Sequence, residues 1–418
     1  MTLRPYHQII LLAVLISACA ESNDTFNWDK LGSSENLKNV FEEKDKYELQ
    51  IRYTQINRDA QNVAQLKSYS FNIDSSVYFY PASTVKMPVA FLALQRLNEI
   101  QLQGADVTKN TTIQHDSIRH PQSSSLIDTT SSTGLPSIAQ YINKIFVVSD
   151  NDAYNRLYEF CGQDYINTTL QEKNVFSNSR IITRVGISGF NRKDNRYTNQ
   201  VRFMDDSNKT ILLQKEKYSP SDYLQNLSNA FKGKGYYDGD LDSIVMKPFN
   251  MFEKNFINLV DLESSLQRII FPDIFPEEQQ FDLSTADYQF LYEAMSKYPK
   301  DYDYLKNSEA ANYDGYVKFF MFGDSKEPIP DHIHIFNKVG FAYGYLTDCA
   351  YIFDTKNNVE FFLTATVYVN DNQIFNDGQY EYDDIGIPFL SNLGREIYNY
   401  ELQRDREFTP DLSRFIAH

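Results

Sequence analysis

Segments with a strand pattern lie near both ends of this chain, and segments with a helix pattern lie between them. Residues 47–56 and 332–340 alternate apolar and polar side chains, as half-buried strands do. Residues 346–354 and 359–369 flank a turn-forming Lys-Asn-Asn and indicate a hairpin. Because all these strands need partners, those from the two ends must join one sheet. The order predicts an α+β fold, one domain interrupted by a helical lobe.

The lobe is predicted over about residues 83–330. Apolar residues at helical spacing indicate helices at residues 135–146, 152–162 and 284–298. Residues 204–281 are polar and rich in Tyr and Lys, with weak periodicity, which predicts loops and short helices. A last helical pattern lies near the C-terminus. The predicted architecture is therefore an antiparallel sheet flanked by N- and C-terminal helices, with an all-helical lobe in addition.

The N-terminus has the composition of a targeting segment. Residues 1–18 combine a short basic region, an apolar run and small residues, which predicts a secretory signal peptide. The stretch LISAC, ending at Cys19, resembles a bacterial lipobox and implies that Cys19 is lipidated. Residues 19–45 are then a lipidated tether, flexible at least over its polar part, residues 21–36. The protein would cross the inner membrane and stay anchored in the cell envelope, in the periplasm or outer membrane. A plain signal peptide with a chance cysteine is the alternative.

The charge of the chain excludes one class of partner. It has 40 basic and 56 acidic residues, a net charge of −16 and a pI of about 4.9. An acidic protein without a basic face repels nucleic acid. The predicted partners are a small-molecule or peptide substrate and, through the lipid anchor alone, a membrane; the sequence does not indicate the oligomeric state.

Metal or cofactor chemistry has little support. Cys161 and Cys349 lack metal-ligand spacing, and the sequence leaves open whether they form a disulfide or stay as free thiols. His332 and His334 would share a strand face, but a third ligand is missing nearby. No phosphate-binding glycine loop or dinucleotide fingerprint is present. We therefore expect no metal and no cofactor.

Ser83 and Lys86 stand three residues apart in the apolar run FYPASTVKMPVAFLAL, residues 79–94. At the start of a helix this spacing puts both side chains on one face, within hydrogen-bond reach. A serine hydroxyl is a weak nucleophile until a base takes its proton, and a lysine becomes such a base when burial lowers its pKa. The pair predicts a nucleophile and its base, although Ser-x-x-Lys with a surface lysine also arises by chance.

Two further motifs follow Ser83 in a distinctive order. Ser149-Asp150-Asn151 precedes a helix, and Lys338-Val339-Gly340 ends a strand. Each alone is weak, since Ser, Asp and Asn are also common helix caps. Together they resemble the signature of class A β-lactamases and penicillin-binding proteins, Ser-x-x-Lys, Ser-Asp-Asn and Lys-(Thr/Ser)-Gly. The resemblance covers residues 47–187 and 331–402, and it implies a β-lactamase/transpeptidase-like serine hydrolase fold over residues 46–418.

The resemblance implies a role for each motif residue. Ser83 would be the nucleophile, Lys86 a base for acylation, and Ser149 a relay of the proton to the leaving nitrogen. Asn151 would bind the amide side chain of the substrate and hold Lys86. Lys338 would provide positive charge for a substrate carboxylate and lower the pKa of Lys86.

The strand after Lys338 completes the implied site. Gly340 would let this strand approach the nucleophile, and Phe341 would supply one backbone N–H of the oxyanion hole, with Ser83 supplying the other.

Three departures from the family pattern bear on function. Val339 replaces the Thr or Ser whose hydroxyl contacts a substrate carboxylate. Residues 183–201 contain no glutamate where class A enzymes carry the one that activates the deacylating water. With Asn199 aligned to the family asparagine, Asn195 occupies the glutamate's place, while Asp194 is the nearest acid. Residues from about 200 to 280 also form a poorly matching insertion.

The sequence thus leaves two functions open. The first is a serine acyl-hydrolase that attacks an amide or ester carbonyl, β-lactam or D-alanyl peptide-like, through an acyl-enzyme on Ser83. The second is a penicillin-binding or pseudoenzyme-type protein of the envelope that acylates slowly or does not turn over, because the deacylating glutamate is absent.

Overall fold

The structure is a computed structural model that describes residues 26–416. Within that range the α-helices, in chain order, are α1 Trp28–Gly32, α2 Lys38–Glu42, α3 Lys86–Leu102, α4 Ile138–Val148, α5 Asn151–Cys161, α6 Gln163–Glu172, α7 Leu259–Ile270, α8 Thr285–Ser296, α9 Phe319–Phe322 and α10 Ile387–Gln403. The strands are β1 Gln50–Arg58, β2 Ala64–Phe71, β3 Thr112–Asp116, β4 Gln200–Met204, β5 Thr210–Gln214, β6 Phe231–Lys232, β7 Gly235–Asp238, β8 Ser243–Val245, β9 Phe249–Asn250, β10 Ile333–Ala342, β11 Tyr345–Asp354, β12 Val359–Tyr368 and β13 Ile374–Phe375.

Strands from both ends of the chain form one five-stranded antiparallel sheet, as predicted. Its order is β10-β11-β12-β1-β2, and β1 joins the C-terminal strands by pairing with β12, where Tyr53 lies opposite Leu363. One face packs on α10 and the N-terminal helices, and the other packs on the helices of the lobe. Because β10 is an outer strand, one of its edges remains free of strand pairing.

The lobe surrounds α3, whose first ten residues are all buried. A 3₁₀ turn, Ala82–Val85, precedes α3, and Pro88 occupies the first turn of the helix. The turn lies beside the free edge of β10, so the Ser-x-x-Lys motif meets the sheet there.

The region 204–281 differs from the loops and short helices predicted for it. It contains the short strands β5 to β9, and it also holds α7, a helix of 12 residues. The prediction missed α7 although its apolar residues Leu262, Leu266 and Ile269 recur at helical spacing, and the helix also buries acidic residues. Glu263 is one of these, and it accepts hydrogen bonds from Arg52, Thr54 and Thr364. A carboxylate with that many donors is tolerated inside a protein.

The flexibility predicted for residues 21–36 is wrong for their described part, residues 26–36, and residues 37–45 are packed as well. Phe26 packs edge-on against Trp28 and Tyr53, with ring centroids 4.7 and 5.0 Å apart, and Leu37 and Val40 are buried in the cluster that includes α10. The few aromatic and apolar residues of this polar segment are enough to dock it on the sheet. The predicted signal peptide, residues 1–18, and Cys19 lie outside the described residues.

The remaining cysteines and histidines have structural surroundings. Cys161 and Cys349 are buried free thiols, and burial raises the pKa of Cys161 to about 12. His332 bonds Asp354 through Nδ1 at 2.9 Å, and the His334 ring stacks on Phe353. Among residues 26–416 no group of three or more His, Cys, Asp or Glu is arranged to hold a metal ion, and no helix is long and apolar enough to cross a membrane.

Candidate active site

Ser83 lies in the 3₁₀ turn at the start of α3. The turn is closed by Thr84, whose backbone N–H and side-chain hydroxyl both donate to the Pro81 carbonyl, at 3.1 and 2.6 Å. Ala82, just before the serine, has a φ of +47°, a left-handed conformation that costs a non-glycine residue energy. Its neighbours in the turn are buried, whereas Ser83 is partly exposed. The turn therefore presents this serine to solvent from a constrained backbone.

Lys86 is completely buried and bonds to uncharged oxygens. Its Nζ donates to the Ser149 carbonyl oxygen, to Ser149 Oγ at 3.3 Å and to Asn151 Oδ1 at 2.7 Å. Within residues 26–416 no carboxylate forms an ion pair with this ammonium. Burial therefore lowers the pKa of Lys86 to about 7, against a smaller opposing effect of Asp150. Near neutral pH a substantial fraction of this amine is unprotonated and able to accept a proton.

The Ser149-Asp150-Asn151 motif lies between α4 and α5. Asp150 is the helix cap: its Oδ1 accepts the Ala153 N–H at 2.8 Å. Ser149 ends α4 in a left-handed conformation with φ +54°. Because one residue does the capping, Ser149 and Asn151 are both free to bond Lys86. Capping alone does not account for this motif.

Lys338 comes from β10 and meets the same serine. Its Nζ donates to Ser149 Oγ at 2.9 Å and to the Val339 carbonyl at 2.7 Å. The Ser149 hydroxyl oxygen therefore lies between the amines of Lys86 and Lys338. Lys338 is buried, and burial followed by the neighbouring charge of Lys86 lowers its pKa well below the ordinary value. Three motifs distant in the chain therefore converge on Ser149.

Gly340 is the point where β10 contacts the nucleophile turn. A Cβ at this position would lie 2.6 Å from the Ser83 backbone nitrogen and 2.8 Å from that of Thr84. Only a glycine allows the two backbones this close. The next residue, Phe341, is 57% exposed, and its ring lies near Tyr382, with centroids 5.4 Å apart. The contact places the backbone of β10 at Gly340 next to the backbone nitrogens of Ser83 and Thr84.

The hydrogen bond expected between Ser83 and Lys86 is not formed. In the part of the chain that the structure describes, the Ser83 hydroxyl makes no hydrogen bond, and the three donors of Lys86 are directed to Ser149 and Asn151. The longest of these bonds, to Ser149 Oγ, is the easiest to exchange. Catalytic hydrogen bonds are often open before substrate binds and tighten afterwards.

The polar side chains of the loop of residues 183–199 form hydrogen bonds within the loop and to neighbouring segments. Asn195, aligned with the family glutamate, accepts the Arg184 N–H at 2.9 Å, and Asn199 donates to the Ser123 carbonyl at 2.9 Å. Asp194 accepts the Asn191 N–H at 3.1 Å. No described hydrogen bond or ion pair connects any of the three to Ser83 or Lys86. All three stabilise the fold of the loop or its attachment.

Gly186 is the residue of this loop that meets the motif residues, and sequence reasoning missed it. It has φ +61°, and a Cβ there would lie 2.1 Å from Asn151 Nδ2. The single weak signal was a pair of glycines in GISG. A second omission is Lys318, a buried lysine bonded to Asn337, the residue before Lys338. Its position could not be inferred from an isolated lysine in a loop.

The comparisons with known proteins agree with the motifs. Residues 33–233 match the family model described as the Beta-lactamase enzyme family, and no curated protein matches the chain. Among solved structures, the β-lactamase from Sphaerobacter thermophilus is 12% identical with a TM-score of 0.48, over 91% of this chain and all of its own. The β-lactamase from Desulfarculus baarsii is 12% identical at TM-score 0.46, over 89% and 98%, and an ancestral class A β-lactamase is 13% identical at 0.47, over 88% and 99%. The family match covers just under half of the chain and includes the Ser83 and Ser149 motifs, and over residues 33–233 the chain is similar to the Beta-lactamase enzyme family.

Proposed function

We propose that the protein is a serine acyl-hydrolase that forms an acyl-enzyme on Ser83 with an amide or ester substrate of the β-lactam or D-alanyl peptide type. One observation carries the proposal: a wholly buried lysine amine without a carboxylate partner lies one helical turn from a partly exposed serine. A buried ammonium held by uncharged oxygens is costly for structure alone. It is useful to an enzyme that needs an unprotonated amine near neutral pH.

Acylation follows from the contacts at Ser149. Unprotonated Lys86 accepts the Ser83 proton while Ser83 Oγ bonds to the substrate carbonyl carbon, and the carbonyl oxygen becomes negative. Backbone N–H groups at Ser83 and Phe341 would stabilise that oxygen. Ser149 then gives its proton to the leaving nitrogen and regains one from Lys86 or Lys338. The bond from carbon to the leaving group breaks, and an ester on Ser83 remains.

Release of the acyl group requires a water molecule and a base. The loop of residues 183–199 contains no glutamate, Asn195 stands at the position aligned with the one of class A enzymes, and Gly186 is the loop residue next to Asn151. This favours a second function, in which the protein captures a β-lactam-like or peptide ligand and turns over slowly or not at all. Lys86, once the leaving group has departed, is the remaining base close to the ester.

Substrate selection departs from the carboxylate recognition of class A enzymes. Val339 is 3% exposed and packs in the core, so it offers no group to a substrate. The exposed Phe341 ring presents an apolar surface at the end of β10 instead. We therefore expect neutral esters and amides to compete well with anionic penicillins.

Intact mass after incubation with a fluorescent penicillin, a chromogenic cephalosporin and a panel of simple esters tests the proposal. Turnover without an adduct supports a hydrolase, and a stable adduct on Ser83 supports capture with slow release. Ser83→Ala must abolish both signals. An unmodified, inactive wild-type protein with every probe would contradict covalent chemistry at Ser83.

We also propose that Cys19 is lipidated and holds the protein in the bacterial cell envelope. The packed domain begins at Phe26, so seven residue steps, at most about 25 Å of chain, separate it from the anchor. The active groove would then stay close to the membrane surface. Partition into the detergent phase that is lost in Cys19→Ser, with the domain still folded, is the expected result; equal partition of the two would contradict it.

A further inference from the structure

A second buried lysine lies beside Lys338. Lys318, just before α9, is 1% exposed, and its Nζ donates to the Met295 carbonyl at 2.6 Å, the Ile335 carbonyl at 2.8 Å and Asn337 Oδ1 at 2.8 Å. Among the described residues no carboxylate forms an ion pair with it. Its three donors are therefore used on uncharged acceptors, in the same way as those of Lys86.

Asn337 connects this lysine to a buried acid. Its Nδ2 donates to Asp348 Oδ1 at 2.8 Å and to the Val317 carbonyl at 3.0 Å. Asp348 is fully buried on β11, directly opposite Val339, and its Oδ2 accepts the Phe320 N–H at 3.2 Å. Asp348 is therefore joined to Lys318 through Asn337, and it lies on the face of the sheet opposite Lys338, where its negative charge favours a proton on Lys338 across the sheet.

The charges of this region do not balance. Lys86, Lys338 and Lys318 are three buried amines, and Asp348 is the fully buried acid among them. Two outer carboxylates also act on the amines: Asp150 on Lys86, and Asp301 on Lys318. Tyr298 also places its ring 6.0 Å from the Lys318 amine. Burying three ammonium groups against one carboxylate is unfavourable, so their protons must be shared unequally.

We infer that Lys318 and Asp348 are positioning residues whose charges set the protonation of Lys338. Because Lys338 and Lys86 both bond Ser149, they thereby also set the protonation of Lys86. The positive charge of Lys318 disfavours a proton on Lys338, and the negative charge of Asp348 favours one. The two residues touch neither Ser83 nor Ser149 in the structure. They would act on the reaction through Lys338.

The direction of the pKa shifts agrees with this geometry. Burial lowers the pKa of Lys318 to about 7, and burial raises the pKa of Asp348 to about 6 against the opposing effects of its hydrogen bonds and of both lysines. Each group is thus held near its titration point, so a change in one charge is transmitted to the others. The consequence for acylation rests on the proposed function, whereas the lysine titrations do not.

The test compares Lys318→Met and Asp348→Asn, which remove charges of opposite sign. NMR titration of the lysine ε-carbons from about pH 5 to about pH 10 measures Lys338 and Lys86 directly, with assignments from Lys→Arg variants. We expect Lys318→Met to raise the Lys338 midpoint by roughly one unit and Asp348→Asn to lower it by a similar amount. The pH profile of Ser83 acylation should move in the same two directions, about tenfold in rate on its acid side.

Lys173→Met is the matched control. Lys173 is also largely buried and far along the chain from the motifs, and its Nζ bonds the Gln280 carbonyl at 2.6 Å and forms an ion pair with Asp282 at 3.1 Å. It should leave both midpoints in place. If either charge variant fails to fold, Asn337→Asp provides an isosteric alternative that adds a carboxylate next to Lys318 and should raise the Lys338 midpoint.

Shifts of the same sign in both variants, or no shift in folded variants, would overturn the inference. A wild-type protein that no probe acylates would refute the proposed function and leave the NMR result to decide the role of Lys318 and Asp348. Normal acylation with unmoved lysine midpoints would refute the inference and leave the proposed function standing.

Discussion

The two sides of the groove differ in what they offer to a substrate. The nucleophile side, formed by Ser83, Lys86, Ser149 and Lys338, is buried and rich in amines that share hydrogen-bond partners. The loop side, residues 183–199, is exposed at its nearest part, residues 186–189, and presents glycine to Asn151. The difference teaches that the residues proposed to form an acyl-enzyme are gathered on one side of the groove, while residues 183–199 on the other side contain no glutamate.

The polar residues of the loop side are used to attach the loop. Asn155 exchanges two hydrogen bonds with the backbone of Val185, at 2.9 and 3.0 Å, and Asn255 accepts the N–H groups of Ile182 and Thr183 at 2.7 and 2.9 Å. Asn255 belongs to the insertion, residues 200–280, which therefore helps to hold the loop of residues 183–199 in place. A loop held by that many buried bonds is a fixed wall of the groove.

The largest change in acylation rate, and so the strongest test of the difference between the two sides, is expected from Lys86→Met. Loss of the base should slow acylation of Ser83 by roughly a thousandfold, because general-base catalysis contributes about that much. Stopped-flow or gel-based labelling with a fluorescent penicillin measures the rate. Lys173→Met, which removes a buried amine elsewhere, should leave it unchanged. Acylation of Lys86→Met at the wild-type rate would show that the nucleophile side is not the catalytic one.

Gly340→Ala should have the next largest effect. The added Cβ would displace the Ser83 backbone, and losing the alignment of one oxyanion donor costs about a hundredfold in rate. Gly239→Ala is the matched control, since a Cβ at Gly239 meets no atom within 4 Å. Acylation rates and melting temperatures of the two variants separate a catalytic effect from a loss of stability. Equal rates in both would mean that the contact between β10 and the turn is not required.

Gly186→Ala tests whether the contact between the loop side and Asn151 affects the acylation rate. Its Cβ would collide with the Asn151 amide, so we expect roughly a tenfold slower acylation through a displaced Lys86. Gly189→Ala carries the same backbone cost, with φ +85°, but meets only Pro121, at 3.7 Å. The pair therefore isolates the contact with Asn151. If both variants slow the reaction equally, backbone strain and not the contact is responsible.

A separate effect, on stability and not on rate, depends on pH. The pKa of Lys86 and that of Lys318 fall from 10.5 to about 7 on burial, so from about pH 7 to 10.5 the unfolded chain binds more protons than the folded one. The free energy of unfolding should therefore rise with pH across this window, by at most about 1.4 kcal/mol per pH unit for each lysine. Urea titrations at several pH values measure it. Lys318→Met should flatten the rise, and an unchanged slope would contradict the proposed burial cost.

Several elements were predictable because their signals are local. The helices at 138–148, 151–161 and 285–296 carry an apolar stripe and a capping residue, and the hairpin of β11 and β12 has its turn residues between two apolar runs. Helix α7 was missed, although its apolar residues recur at helical spacing, because the long polar region around it indicates loops; its buried Glu263 is stabilised by residues more than 100 positions away. The packing of residues 26–45 was not predicted, because only a few apolar side chains dock this polar segment on the sheet.

The amino-acid sequence by itself determined the order of strands and helices and the residue types of the three motifs, because periodicity and motif spacing are properties of neighbouring residues. Only the tertiary structure decided which groups the amines meet. Lys86 bonds Ser149 across 63 positions, and Lys338 reaches the same hydroxyl across 189. The pKa of each amine depends on how completely distant segments exclude water and which charges they bring near it. For the same reason, the close approach of Gly186 to Asn151 and the influence of Lys318 exist only once the chain has folded.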